Sequence, residues 1–242
     1  MMKDEEIMGI PKQGLVIAID GPAGTGKSSV THRLADVLGF IHVDTGALYR
    51  AVAFLNLEKE AELEEEIAAT IARGVHLDFR RIPGKNPVNR MMANGRDLTE
   101  LIRTSQVSLA ASRISAFSKV RAALIGLQRR LGCSGNAILE GRDIGTIIFP
   151  DADLKFYLSA SLEERAKRRL IELEAIGVDV PSFEEVKDQI RDRDHGDSTR
   201  AVAPLKKAVD AIEVDTSSMK LEDVVQWMEA IAREKLGLEK NV

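Results

Sequence analysis

An α/β fold, with a mostly parallel sheet covered by helices on both faces, is what the sequence predicts. Three observations carry that expectation. Leu15 to Ile19 is a short, β-branched apolar run that ends in a glycine-rich loop and passes directly into a helical stretch. Four further apolar runs of strand length follow, with helical periodicity between them. Residues 75 to 101 switch to a period-two pattern broken by Pro and Gly, which reads as an inserted antiparallel patch.

The elements follow in order. Lys27 to Leu38 should be a helix with Val30, Leu34, Val37 and Leu38 inward and Gly39 as its C-terminal cap. Phe40 to Asp44 is a buried strand ending in Asp44-Thr45-Gly46, and a helix from about Ala47 buries Tyr49, Ala53 and Phe54. Glu58 to Arg73, rich in Glu and Ala, reads as one further helix stopped by Gly74; its Glu64-Glu65-Glu66 run is a solvated face. Val75, Leu77 and Phe79 alternate with polar residues, Pro83, Gly84 and Pro87 break the chain, and Asn94-Gly95 joins Val88–Ala93 to Arg96–Leu98 as a primed hairpin turn. Arg103 to Leu131 reads as two helices broken near Phe117-Ser118. Ala137–Glu140 and Leu154–Leu158 are core strands. Ser161-Leu-Glu-Glu164 and Ser182-Phe-Glu-Glu185 are capping boxes opening helices. Ala211–Asp215 is the fifth strand. The last helix carries Leu221, Val224, Val225, Met228, Ile231 and Leu236 at helical spacing, with Trp227 as a packing residue.

Composition bounds the function. The chain has 242 residues, 44% apolar and 30% charged, enough for one large domain or two small ones with ample core. Aromatics are only 4%, so the core must rest on aliphatic side chains. A net charge of -4 argues against a nucleic-acid coat, yet allows a small basic pocket for a mononucleotide. The lone Cys133 cannot form an internal disulfide, which fits a reducing compartment, and it reads as a small bystander. Met1 to Gly14 lacks the apolar core of a secretory signal, and no run approaches the ~18 apolar residues of a membrane span. The expected location is the cytoplasm, with no membrane partner.

The glycine-rich loop is the sharpest motif. Gly21 to Ser28 fits G-x-x-x-x-G-K-[ST], in the strand-then-helix context that the motif requires. Gly21, Gly24 and Gly26 permit backbone conformations that turn successive N–H groups inward, and the following helix offers unpaired donors and a positive dipole end. Lys27 adds a charge able to reach β- and γ-phosphates, and Ser28 offers a hydroxyl to Mg²⁺. Pro22, Ala23, Thr25 and Ser29 complete the cradle. The alternative, a glycine-rich turn without a ligand, leaves Gly-Lys-Ser at this spacing unexplained.

Ligands of such sheets sit beyond the carboxyl ends of the strands. Asp20-Gly21, Asp44-Thr45, Glu140-Gly141 and Leu158-Ser159 should therefore line one rim. Thr45, Arg50, Arg142 and Asp143 follow strands two and three, and Arg193, Asp197 and Arg200 precede Ala201-Val-Ala-Pro204. A surface salt-bridge lattice explains any one arginine. It explains less well several gathered opposite a triphosphate loop, where forked donors suit phosphate oxygens.

These blocks carry a resemblance. Ile19-Asp20-Gly-Pro-Ala-Gly-Thr-Gly-Lys27-Ser28, Asp44-Thr-Gly-Ala-Leu-Tyr-Arg50, Asn94-Gly-Arg-Asp-Leu-Thr99 with Ile102-Arg103, Glu140-Gly-Arg-Asp-Ile-Gly-Thr146 with Phe149-Pro-Asp-Ala152, and Arg193-Asp194 with Asp197–Leu205 occur in this order. From Leu15 to the last helix the chain resembles the bacterial cytidylate kinases, a branch of the nucleoside monophosphate kinases. The phosphate loop alone would admit many functions; the other blocks are specific.

The resemblance implies a three-layer P-loop kinase fold with a five-stranded parallel sheet. It divides one domain into a core (about 14–74, 102–158 and 205–242), a monophosphate-binding insert (about 75–101) and a lid (about 159–204). It implies transfer of the γ-phosphoryl of ATP to CMP or dCMP, with Mg²⁺, by a monomer. Arg50, Arg142, Arg193 and Arg200 would hold phosphates, with Thr45 beside them. Ser112, Arg121 and Asp143 would read cytosine, and Asp197 would sit by the sugar. Arg165 and Arg169 would flank the ATP. Lys27, Arg142, Arg193 and Arg200 form the expected catalytic set.

The departures are Gly-Lys-Ser-Ser where many members have Gly-Lys-Gly or Gly-Lys-Ser-Thr, Thr45 where some have serine, Glu140 where aspartate is common, and Asp194-His195-Gly196, which lacks the extra arginine of some relatives. His195 reads as a solvated loop residue. Another small P-loop kinase with a different acceptor is the alternative among enzymes. From another class, a nucleotide-gated regulatory module remains, although a guanine-reading Asn/Thr-Lys-x-Asp block is absent from the chain.

Overall fold

The computed structural model describes residues 12–82, 88–176 and 180–239. The chain breakers Pro83, Gly84 and Pro87, and most of the stretch before Gly14, lie outside the described residues. Five parallel strands, β1 (Val16–Asp20), β2 (Ile41–Asp44), β6 (Ala137–Gly141), β7 (Leu154–Ser159) and β8 (Ile212–Asp215), form one sheet in the order β2-β6-β1-β7-β8. A separate antiparallel sheet joins β3 (Leu77–Ile82), β4 (Val88–Ala93) and β5 (Arg96–Asp97). Asn94 and Gly95, at φ 49° and 81°, supply the left-handed turn between β4 and β5.

The helices are α1 (Lys27–Leu38), α2 (Thr45–Glu58), α3 (Glu65–Gly74), α4 (Ser105–Ile114), α5 (Ser118–Cys133), α6 (Leu162–Ile176), α7 (Phe183–Thr199) and α8 (Leu221–Leu236). One face of the sheet buries Ile17, Ile19, Ile138 and Phe156 against Val30 and Leu34 of α1 and Met228 of α8. The other buries Val16, Ala18 and Leu139 against Cys133 at the end of α5. A third core joins α2, α3, α4 and α5 to the small sheet. Helices α6 and α7 share a minor core of Ala166, Leu173, Val186 and Ile190. No helix among the described residues is long and apolar enough to cross a membrane.

Several expectations need correction. The stretch 58–73 is not one helix: α2 ends at Glu58 and α3 begins at Glu65. Asn56, fully buried, donates its amide to the carbonyls of Ala61 (2.8 Å) and Glu62 (3.3 Å), and Glu60 adopts φ 52°, so the chain is held in a turn there. Val37 faces outward (43% exposed), and Thr31 and Ala35 take the inward positions. At Ser161 only half of the capping box forms: its hydroxyl accepts from the Glu164 N–H, while the Glu164 carboxylate pairs with Arg168. Ser182 forms both halves. His195 is exposed but helical, within α7.

Parallel register sets the functional rim. Asp20 lies opposite Gly141, Asp44 opposite Glu140, and Asp20 opposite Tyr157. The carboxyl ends of β1, β2, β6 and β7 therefore finish side by side, as a parallel sheet with matched strands requires.

Candidate active site

The loop between β1 and α1 is built by its glycines. Gly21, Gly24 and Gly26 sit at φ 149°, 77° and 85°. A Cβ on Gly21 would lie 2.1 Å from the Leu158 carbonyl oxygen, so the loop can cross the end of β7 only without a side chain. Lys27 is buried, and its Nζ donates to the Pro22 carbonyl at 2.5 Å and to Thr25 Oγ1 at 3.2 Å. Burial, and then the nearby charge of Arg142, pulls its pKa well below the usual lysine range. Arg165 reaches the loop from α6: its guanidinium donates to the Ala23 carbonyl at 3.2 Å and pairs with Asp194 of α7. Arg168 donates to the Thr216 carbonyl at 2.6 Å, and the Thr216 hydroxyl donates to the Thr25 carbonyl at 3.1 Å.

Around the first turn of α1 the polar groups interlock. Ser28 Oγ donates to Glu140 Oε2 at 2.8 Å, and His42 Nε2 meets Glu140 Oε1 at 2.9 Å. Burial works against charge on His42, but the hydrogen bond and charge of Glu140 outweigh it and raise its pKa. Thr45 is buried, with its hydroxyl donated to the Glu140 carbonyl at 2.7 Å. Arg50 Nη2 pairs with Asp44 Oδ2 at 2.6 Å. A cavity of about 310 Å³ opens here; Ser28, Ser29, His42, Asp44 and Arg50 are among its lining residues.

Beyond β6 the arginines converge. Asp143 is buried; it pairs closely with Arg121, and Arg200 Nη2 lies 3.5 Å from its other oxygen. The Arg121 guanidinium also stands 5.6 Å from the centre of the Tyr49 ring and donates to the Ser115 carbonyl at 3.1 Å. Arg142 Nε donates to Asp197 Oδ2 at 2.9 Å, and Arg200 Nη1 lies 3.9 Å from Asp197 Oδ1. Burial raises the Asp197 carboxyl, but Arg142 and Arg193 beside it bring it below the usual range. Arg193 Nε is buried without a hydrogen-bond partner. Burial, then the Arg142 charge, pulls the Arg193 pKa down to about 10.

The sequence-derived residues thus gather on one rim: the loop, Thr45, Arg50, Arg142, Asp143, Arg193, Asp197 and Arg200. Ser112, on α4, is half-buried, and its carbonyl accepts the Ser115 hydroxyl at 2.7 Å. Arg169 is tied to Glu172 of its own helix at 3.1 Å, and its charge is felt at Arg193. Ser29 is exposed.

Sequence reasoning placed Asp20 on the rim without giving it a role, and it gave no role to His42 or Arg168. Asp20 closes β1 and accepts the backbone N–H groups of Ile144 (2.8 Å) and Gly145 (2.7 Å). It thereby ties the loop to the π-helical turn Ile144–Ile148 that follows Asp143. A charged residue closing an otherwise apolar strand was the available signal. For His42 it was an imidazole two residues before Asp44, on the same strand face.

The family model described as cytidylate kinase matches residues 17–234. The cytidylate kinase of Carboxydothermus hydrogenoformans is 48% identical over 220 residues, covering 90% of this chain and 97% of that protein. That of Geobacter sulfurreducens is 45% identical over 225 residues, 93% of this chain and 95% of the relative. That of Citrifermentans bemidjiense is 44% identical over 229 residues, 94% and 97% respectively.

Proposed function

The chain belongs to the cytidylate kinase family, and from that premise we propose how its own residues transfer the γ-phosphoryl group of ATP to CMP or dCMP, giving ADP and CDP or dCDP. The observation that carries the reading is the crowding of like charge. Arg142 and Arg193 both lower the affinity of Lys27 for its proton, Arg142 lowers that of Arg193 as well, and Arg193 Nε is buried without a hydrogen-bond partner. Cations are packed this way when a polyanion is to be seated among them.

The attacking atom is a phosphate oxygen of the acceptor, already anionic near neutral pH, so no general base is required. The barrier lies in bringing two anions together in line and screening their charge. In this reading the glycine loop and Lys27 hold the donor's phosphates. Arg50, Arg142, Arg193 and Arg200 hold the acceptor's phosphate and the transferring group, with Thr45 beside them. Asp143 accepts from the N4 amino group of cytosine and repels the carbonyl that uracil carries there. Arg121 and Ser112 frame the base, and Asp197 takes the sugar.

Arg165 and Arg169 belong to the donor side, and the Arg165 bond to the Ala23 carbonyl supports this for Arg165. The β3–β5 sheet serves as the monophosphate-binding insert. Helices α6 and α7 serve as a lid that excludes water, which would otherwise compete as acceptor. One chain supplies every residue named, so a monomer suffices.

Ser28 fits Mg²⁺. Its hydroxyl is a hard oxygen donor held by a carboxylate. Among the described residues no group of three or more His, Cys, Asp or Glu could hold a metal alone. When bound, it would neutralise phosphate charge.

An ADP-release assay across CMP, dCMP, UMP and AMP tests the proposal. Turnover should be fastest with CMP or dCMP. Preference for AMP, or ATP hydrolysis indifferent to acceptor, would overturn it.

A further inference from the structure

Glu140 carries its carboxylate on a stem of two methylenes, with several rotatable bonds between backbone and carboxylate oxygens. A longer stem positions a carboxylate loosely unless something fixes it. The structure supplies that fixation. His42 on β2 lies opposite Ile138 in the β2–β6 register, so Glu140, two residues on, is its diagonal neighbour on the same sheet face. The ring reaches across at 2.9 Å from Nε2 to Oε1. Nε2 must carry the proton, since a carboxylate accepts. The other oxygen, Oε2, is left to receive the Ser28 hydroxyl at 2.8 Å.

The strand that carries the ring is tied down. The carbonyl of His42 accepts the Asn89 amide at 2.9 Å, which ties β2 to β4. The His32 ring lies 5.9 Å away, centre to centre. His42 and Glu140 side chains are only 12% and 5% exposed, so water competes little for the bond.

We propose that His42 is a positioning residue: it holds the Glu140 carboxylate so that Ser28 is presented, in one geometry, to the metal that accompanies the triphosphate. This rests on the reading of Ser28 as the metal's hydroxyl ligand. A long-stemmed carboxylate is thereby steadied from the neighbouring strand. A contact that orients a metal's hydroxyl ligand in this way controls metal affinity.

The test uses the full chain with His42→Ala, His42→Gln and Glu140→Asp, alone and combined. Two quantities are read: Mn²⁺ affinity in the presence of a non-hydrolysable ATP analogue, by electron paramagnetic resonance, and the Mg²⁺ dependence of turnover at saturating CMP. His42→Ala should weaken Mn²⁺ binding and raise the half-saturating Mg²⁺ about tenfold, with KM for CMP unchanged. His42→Gln, which restores an N–H donor, should recover most of both. In the Glu140→Asp background His42→Ala should add little, because the shorter side chain no longer reaches the ring.

A loss of thermal stability with metal affinity unchanged would overturn the proposal and leave an ordinary structural pair. Additive effects of His42→Ala and Glu140→Asp would overturn it as well. Ser28→Ala without effect on Mn²⁺ affinity would remove its premise. The Mn²⁺ measurement needs no acceptor, so a failure of the CMP assignment would show separately in the ADP-release assay.

Discussion

Lys27 is turned back on its own loop: its Nζ donates to the Pro22 carbonyl at 2.5 Å. The cation is also held against Thr25 Oγ1 and lies where burial, Arg142 and Arg193 all oppose its charge. An incoming phosphate offers what the carbonyl cannot, a full negative charge, so the ammonium has reason to leave the loop once the donor binds. Lys27→Met should therefore lower kcat about a hundredfold or more while the folded state survives, because an apolar chain of similar length fills the buried space. Steady-state kinetics and a melting curve on the same preparation check this; turnover equal to that of the unmodified protein would remove Lys27 from the mechanism.

Asp143 sits between Arg121 and Arg200, with one oxygen toward each. Two positioned arginines keep it aimed. Asp143→Asn keeps the shape but adds a donor that the uracil carbonyl can accept. The ratio of kcat/KM for CMP over UMP should fall by about tenfold or more, on the scale of one buried hydrogen bond. Asp143→Ala should cost the same preference and also lower stability, by about 3–5 kcal/mol, because two buried guanidinium groups lose their carboxylate. Equal losses toward both acceptors in the Asn variant would refute the base-reading role.

The rim was legible in the sequence because each of its parts is local. An apolar run followed by Gly-x-x-x-x-Gly-Lys-Ser dictates strand, loop and helix without help from elsewhere, and β1 and α1 fall where that pattern puts them. The break between α2 and α3 was not legible, since Glu and Ala favour helix and the interruption depends on a buried Asn56 amide turned onto two later carbonyls. The His42–Glu140 pair was hidden for a different reason. It spans 98 positions and exists only once β2 and β6 are in register. Asp20 was placed on the rim, but its role was hidden for the same reason, since it depends on the N–H groups of Ile144 and Gly145 more than a hundred positions away.

The buried Asp20 carboxyl has its pKa raised to about 6, chiefly by burial, against the two backbone N–H bonds that lower it. Between about pH 4 and 6 the folded chain then holds a proton that the unfolded chain has lost, so this group's contribution to stability falls as pH rises. It is fully present below the unfolded value and is lost above the folded one. The whole span corresponds to about 3 kcal/mol at 1.36 kcal/mol per unit. The difference in unfolding free energy between the unmodified protein and Asp20→Asn should decline by that order from pH 4 to above pH 6, as read from urea denaturation at a series of pH values. A flat difference would mean that Asp20 is ionised throughout.

Arg193 poses the sharpest conflict between stability and function. Its side chain is half-buried, its Nε is buried with no hydrogen-bond partner, and Arg142, Arg50 and Arg169 all add repulsion. Asp197 attracts it, but that carboxylate already serves Arg142 at 2.9 Å. Burying a cation under such terms costs stability, and the cost persists for as long as no anion is seated beside it. Arg193→Met keeps the aliphatic stem and removes the charge. The ligand-free variant should melt higher than the unmodified protein, by several degrees if about 1–2 kcal/mol is recovered. The same variant should lose most of its turnover and bind nucleotides more weakly. The rise in melting temperature that nucleotides confer on the unmodified protein should shrink accordingly, since less binding energy remains to be linked to folding. A lower melting point in the ligand-free state would show that Arg193 is satisfied by the protein itself, and the account of the rim as a site strained toward an absent polyanion would fall with it.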